Sequence, residues 1–168
     1  MLIVNLLGHN GVGKNTVAGM LQKELTHAKV KSLATPVKEI VALMHNKTVE
    51  WVDSHKDNTN PSGISVREQL IGVSDLGFDI HPDFWWRLPT FEGLSIYTDV
   101  RHSSWLRYTK DIPTVNIIIR REGFHLGGIP KTKKPIFIYN NGNLSDLVDE
   151  VRHTVNLNSS LKFSGYPL

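Results

Sequence analysis

Apolar and polar residues alternate along this chain in blocks that predict strands and helices by turns. Leu2-Ile3-Val4-Asn5-Leu6-Leu7 is a nearly continuous apolar run, the mark of a strand buried on both faces. A helix is predicted over about 15–27, where Val17, Met20, Leu21 and Leu25 share one face. Residues 29–34 read as a second strand, and Pro36 opens a helix with Val37, Ile40, Val41 and Met44 as its apolar face. Residues 45–63 are polar, end in Pro-Ser-Gly and read as a mobile surface excursion. Ser65 followed by Glu68 is a capping-box signature for the next helix. Strands follow at 94–99, 114–120 and 135–139, with a short helix over 103–110. Residues 121–135 are basic, glycine-rich and aperiodic. After the turn Asn140-Asn141-Gly142-Asn143, a last helix carries Leu144, Leu147, Val148, Val151 and Val155 on one face, and 157–168 read as a tail. Apolar strands alternating with helices predict an α/β domain around a parallel sheet covered on both faces. Ligands of such sheets bind beyond the carboxyl ends of the strands, so the glycine loop after the first strand, Asp99 and Arg120 should converge there.

The first strand runs into Gly8-His9-Asn10-Gly11-Val12-Gly13-Lys14-Asn15-Thr16, which fits G-x-x-x-x-G-K between a strand and a helix. A polyphosphate packs several negative charges into a small volume. Backbone N–H groups reach it only if the chain wraps closely, hence the glycines. The helix start adds oriented dipoles, and Lys14 reaches the β- and γ-phosphates. The ligand class expected is a nucleoside triphosphate. The usual Ser/Thr position after the lysine holds Asn15, whose amide oxygen can serve magnesium or the second substrate, and Thr16 lies one residue beyond. The plainer reading is a glycine turn joining strand to helix, but the apolar strand before it and the periodic helix after it are the context the phosphate loop requires.

Asp99, at the end of an apolar strand, is either a magnesium-holding acid of the Walker B kind or an ordinary strand-terminal turn residue. Arg67, Arg87, Arg101, Arg120 and Arg121 are candidate phosphate clamps, since guanidinium forks match phosphate oxygens, and each is equally readable as a solvated surface charge. Trp85 and Trp86 are adjacent, so one ring can enter the core while the other stacks on a base, or both can be core. The eight histidines show no metal-ligand spacing. With no cysteine, disulfides and thiolate metal sites are excluded. No apolar run reaches the roughly 20 residues of a membrane helix, and the start of the chain reads as a core strand rather than a secretory signal. An intracellular single-domain protein is the expectation. The net charge of +3 suits anionic nucleotides and does not itself argue for nucleic acid.

With these elements in order, the chain resembles the bacteriophage deoxynucleoside monophosphate kinases, P-loop enzymes of the nucleoside monophosphate kinase superfamily. The resemblance runs through Gly8-x-x-x-x-Gly13-Lys14-x-Thr16, Leu33-Ala34-Thr35-Pro36-Val37-Lys38, Ser65-Val66-Arg67 and Asp83-Phe84-Trp85-Trp86. It continues through Thr98-Asp99-Val100-Arg101, Ile118-Ile119-Arg120-Arg121-Glu122-Gly123, His125 to Pro130, and Tyr139-Asn140-Asn141-Gly142-Asn143-Leu144. It implies a three-layer fold with a five-stranded parallel sheet like that of adenylate kinase, in one domain spanning 1–168. Within it, about 36–90 would form the acceptor-binding excursion and about 121–135 a lid. It implies transfer of the ATP γ-phosphate to a deoxynucleoside monophosphate, with magnesium. Asn10, Gly11, Val12, Gly13, Lys14, Asn15 and Thr16 would hold ATP, with Arg120 and Arg121 closing over it. Pro36 and Lys38 would border the acceptor, Arg67 and Arg101 would grip its phosphate, and Trp86 would lie near its base. Lys14, Asn15, Asp99 and Arg101 would carry the chemistry, and Asn15 and Asp99 the metal. A phage origin would place it in the host cytoplasm, with room for a homodimer and no nucleic-acid or membrane partner.

Three departures stand out: Asn15 where the family has Asp, Ile71 where it has Gln, and a short excursion before the Val-Arg helix. Two competing readings keep the loop. One is a phosphotransferase acting on another small acceptor. The other is a nucleotide-binding regulator that has lost catalysis through Asn15.

Overall fold

The computed structural model describes residues 1–89, 93–125 and 127–162. Its elements are β1 (Leu2–Leu7), α1 (Lys14–Glu24), β2 (Ala28–Lys31), α2 (Thr35–Met44), α3 (Val49–Ser54) and α4 (Val66–Ile80). A 3-10 turn (Phe84–Arg87) follows, then β3 (Leu94–Tyr97), α5 (Ser103–Tyr108), β4 (Thr114–Arg120), β5 (Ile136–Tyr139), α6 (Leu144–Leu157) and α7 (Ser159–Lys162). The chain forms two compact units, Met1–Ser32 with Phe91–Leu168, and Leu33–Thr90. Among the described residues no helix is long and apolar enough to cross a membrane.

The first unit holds one five-stranded sheet, ordered β2-β3-β1-β4-β5, with every pair parallel. This is the three-layer α/β arrangement of P-loop folds, with β1 at the centre. Because side chains alternate along a strand, one face presents Val4, Leu6, Ile96, Ile117, Ile119 and Ile138. That face packs against Val17, Ala18 and Leu21 of α1, Leu147, Val151 and Val155 of α6, and Leu161 of α7. The opposite face buries Ile3, Asn5, Leu7, Tyr97 and Ile118, together with Trp105 of α5. Its polar members are bonded in series. The Trp105 indole donates to Asn5 Oδ1 at 2.9 Å, and Asn5 Nδ2 donates to Asn116 Oδ1 at 2.9 Å. The Tyr97 ring meets Trp105 edge-on at 4.8 Å.

The second unit has its own small core of Val41, Ala42, Val52 and Val66, with Val49, Trp51, Leu70 and Val73 around it. Its longest helix, α4, begins at the expected capping box. Ser65 Oγ accepts from the Glu68 amide, and the Glu68 carboxylate accepts from the Ser65 amide. Farther along, Gly77 has no room for a β-carbon because the Trp85 ring lies against it. The Trp85 indole donates to the Ser74 carbonyl at 2.8 Å.

Four expectations need correction. The excursion 45–63 is not without structure: α3 forms within it, capped by Thr48, and Val52 is fully buried. The polar composition hid a single apolar anchor. On α2, Ile40 and Met44 are exposed, because Val37, Val41 and Ala42 form the packed side. β2 ends at Lys31, short of residue 34. The tail contains α7, where Leu161 is buried in the main core, while 163–168 lie outside the described residues.

Candidate phosphate-binding site

Three glycines shape the loop after β1. Gly8, Gly11 and Gly13 have φ of +146°, +83° and +98°, a region that side chains rarely adopt. A β-carbon at Gly8 would stand 2.8 Å from the Ile119 carbonyl oxygen and 2.9 Å from the Val12 side chain. Gly13 is the N-cap of α1 and provides no capping side chain, so the first amides of that helix keep their donors for an anion. Lys14 Nζ donates to the carbonyls of Gly8 at 2.8 Å and His9 at 2.7 Å, which curls the side chain back over the loop. Asn10, Asn15 and Thr16 are exposed, and Val12 is buried.

Burial holds the Lys14 ammonium below the usual lysine range, the Arg101 guanidinium lowers it further, and the Asp99 carboxylate opposes both. Both groups therefore act on Lys14, one as a like charge and one as a counter-charge. Asp99 lies two residues past β3, the neighbour of β1, and Ser32 Oγ donates to Asp99 Oδ2 at 2.6 Å. That hydrogen bond fixes the carboxylate's rotamer. Arg101 is exposed.

On the other flank, β4 ends at Arg120, whose guanidinium lies over the Phe137 ring at 4.5 Å. Its Nε is buried with no acceptor among the described residues, as is His9 Nε2. Arg121 is exposed and opens a turn closed by the Phe124 amide bonding the Arg121 carbonyl at 3.1 Å. Phe124 covers Gly11, since a β-carbon there would stand 3.6 Å from its ring.

Two residues that prop the loop and the segment beside it are read from sequence only as part of a turn. Asn140 Nδ2 donates to the Val12 carbonyl at 2.8 Å, and the Asn140 amide donates to the Arg120 carbonyl at 2.8 Å. Asn141 Oδ1 accepts from the Glu122 amide at 2.8 Å. The turn after β5 thus props both the phosphate loop and the segment leaving β4. The signal available was position: an Asn-Asn-Gly-Asn turn at a strand's carboxyl end, read only as a turn.

In the second unit, Pro36 occupies the first turn of α2. Lys38 Nζ lies 2.9 Å from Asp53 Oδ2, and Lys56 lies 2.7 Å from the other oxygen of the same carboxylate. Arg67 engages Asp57 through Nε at 3.1 Å and Nη2 at 3.0 Å. Trp85 and Trp86 are both buried, each 3% exposed, and the Phe78 ring meets Trp86 edge-on at 5.5 Å. The two rings thus belong to the packing of this unit. Arg87 Nη2 lies 3.1 Å from His81 Nε2.

Among the described residues no three His, Cys, Asp or Glu side chains cluster as a metal cage. One carboxylate beside a phosphate loop is a different donor set. It is the kind of donor set that fits a magnesium ion held mostly by phosphate oxygens and water.

No family model matches the chain, and no curated protein sequence does so. Among solved structures, the chain is similar to a gluconokinase from Sinorhizobium meliloti 1021, at 13% identity and a TM-score of 0.48, covering 97% of each chain. It is also similar to a shikimate kinase from Bacteroides thetaiotaomicron, at 14% identity and a TM-score of 0.34, covering 98% of this chain and 83% of that one. The fold assignment rests on the strand order and loop geometry of the chain itself.

Proposed function

We propose that this chain is a magnesium-dependent P-loop phosphotransferase that moves the ATP γ-phosphate onto a deoxynucleoside monophosphate. One observation carries the phosphotransferase reading: Lys14 curls over a glycine-shaped loop whose helix start has no side-chain cap, with Asp99 just past β3, the strand beside β1. The choice of acceptor rests on the sequence resemblance, through Lys38, Arg67 and Arg101. Loop amides and Lys14 would bind the donor phosphates, and Arg120 and Arg121 would close from the β4 side. The acceptor phosphate is itself an anionic nucleophile, so no general base is required. The protein's task is to orient it and balance charge at the transferred group. Magnesium, when bound, would supply further charge neutralisation, with Asp99 and Asn15 as its nearest protein donors.

The test is ADP release measured with each of the four deoxynucleoside monophosphates, their ribose counterparts and a panel of hydroxyl acceptors. Turnover with at least one deoxynucleoside monophosphate is expected. Turnover confined to hydroxyl acceptors would replace the acceptor assignment, and ATP binding with no turnover on any acceptor would leave only the nucleotide-binding reading.

A further inference from the structure

Within the first unit, a recess of about 530 Å³ opens beside α5, the first half of β4 and residues 131–133. Its position separates it from the phosphate loop. Thr114 and Asn116 line it, whereas Gly8 meets β4 at Ile119. These lining residues and Ile119 lie three to five positions apart along the strand, about 10–17 Å at the usual rise. Ligands of parallel sheets gather at the carboxyl ends, so a second recess toward the amino end calls for its own explanation.

Its lining is one-sided in charge. Arg107, Lys110, Lys131 and Lys133 surround it, and no aspartate or glutamate lines it. The nearest counter-charge is Asp111, 4.0 Å from Lys110 in an exposed pair. Arg107, Lys131 and Lys133 have no carboxylate within ion-pair distance among the described residues. Four cations held together around a concavity repel one another, and a bound anion relieves that repulsion.

The floor adds a directed donor. The Trp105 indole can only donate, so Asn5 must turn its oxygen toward Trp105 and its amide nitrogen toward Asn116. Asn116 therefore accepts through Oδ1, and its Nδ2 hydrogens are left for the recess that Asn116 lines. The orientation of a lining side chain is thus dictated by the buried core behind it.

We propose that this recess is a second anion site, for a small ligand carrying a chain of phosphates. A single phosphate carries about two negative charges against four lining cations, whereas a chain of two or three phosphates matches them. The four cations line one recess of about 530 Å³, a volume in the range of small-ligand sites, which favours a compact anion over a nucleic-acid strand. An occupant would tie Lys131 and Lys133 to Arg107 and Lys110, and so tie the segment before β5 to α5.

Calorimetry with inorganic tripolyphosphate on the full chain tests this. Wild type should bind two equivalents. Lys14→Ala should lose one, and the exposed double change Lys131→Glu with Lys133→Glu should weaken the other at least tenfold. Asn116→Asp, which keeps the shape and the bond from Asn5, should weaken that same site. A single wild-type equivalent abolished by Lys14→Ala would overturn the proposal and leave the proposed function standing. A single equivalent abolished by the lysine reversal would do the opposite. A second equivalent indifferent to both the lysine and the Asn116 changes would also overturn it. Repeating the titration with dATP on Lys14→Ala, where only the recess remains, identifies the source: tighter binding than tripolyphosphate points to a nucleotide with its base on Leu106 and Ile112, and equal binding to the phosphate chain alone. A single-stranded oligonucleotide that outcompetes tripolyphosphate at this face would refute the small-anion assignment.

Discussion

Gly8 sits where a hydrogen in place of a methyl group decides whether the loop can close. Its φ of +146° and the Ile119 carbonyl 2.8 Å from a would-be β-carbon act together, because the clashing atom is backbone and cannot rotate away. Gly8→Ala should destabilise the fold by about 1–3 kcal/mol, read by urea denaturation, and weaken ATP binding as well. Tyr97 is a different kind of residue. Its hydroxyl is buried without an acceptor, and burial, with Asp99 nearby, pushes its pKa up to about 12. The folded state therefore favours the protonated phenol. That contribution is complete below the unfolded value near 10 and is lost as pH rises toward 12. In a phenolate absorbance titration, one tyrosine should ionise late, and Tyr97→Phe should remove that step and reduce the stability loss above pH 10.

At the scale of elements, one helix in each unit begins with the same device. Ser65 with Glu68 starts α4, and Asn143 with Asp146 starts α6. Each box satisfies amides that the first turn leaves open. Ser65→Ala should cost about 1 kcal/mol, and Ser65→Asp should restore most of it. The loss should appear as faster amide exchange at the start of α4 before it appears anywhere in the sheet. Asp53 shows the same economy among charges. Burial raises its pKa, but hydrogen bonds from Lys56 and Lys38 outweigh that and set it below the usual carboxylate range. Stability from this cluster is present above the unfolded value of about 3.8 and is lost as acid protonates the folded carboxylate. Acid titration of Asp53→Asn against wild type, followed by circular dichroism, should show a shallower loss in the variant below pH 4.

For the molecule as a whole, a triphosphate bound at the loop should couple to unfolding by mass action. At 100 times its Kd, ATP should add about 2.7 kcal/mol, a rise of roughly 5–10 °C in Tm for a chain of this size. Thermal denaturation with and without ATP and magnesium checks this. Lys14→Ala should abolish most of the shift while leaving the melting temperature without nucleotide close to wild type, since Lys14 bonds loop carbonyls and is not part of the core.

Much of this protein could be read along the chain because the relevant physics is local. Apolar continuity marked most of the strands, though not the lysine-bearing β2, and β4 begins and ends where its pattern does, at Thr114 and Arg120. The glycines announced the loop because its positive φ values admit little else. The capping box at Ser65 needs only residues three apart. What stayed hidden depends on neighbours distant in sequence. Asn140 props a loop 128 residues away, and its role exists only because β5 ends beside β4. Ser32 bonds Asp99 from the residue just past a different strand, β2. Which side of α2 faces inward was settled by α3 and α4 together, and α3 is too short to announce itself. The basic recess was equally invisible, since it gathers residues from 103 to 133 around a side chain whose direction is imposed by Trp105 through Asn5. Periodicity and backbone conformation are properties of a few consecutive residues and so are written in their order, whereas hydrogen-bond partners, orientation and the meeting of like charges arise only when the sheet brings distant segments side by side.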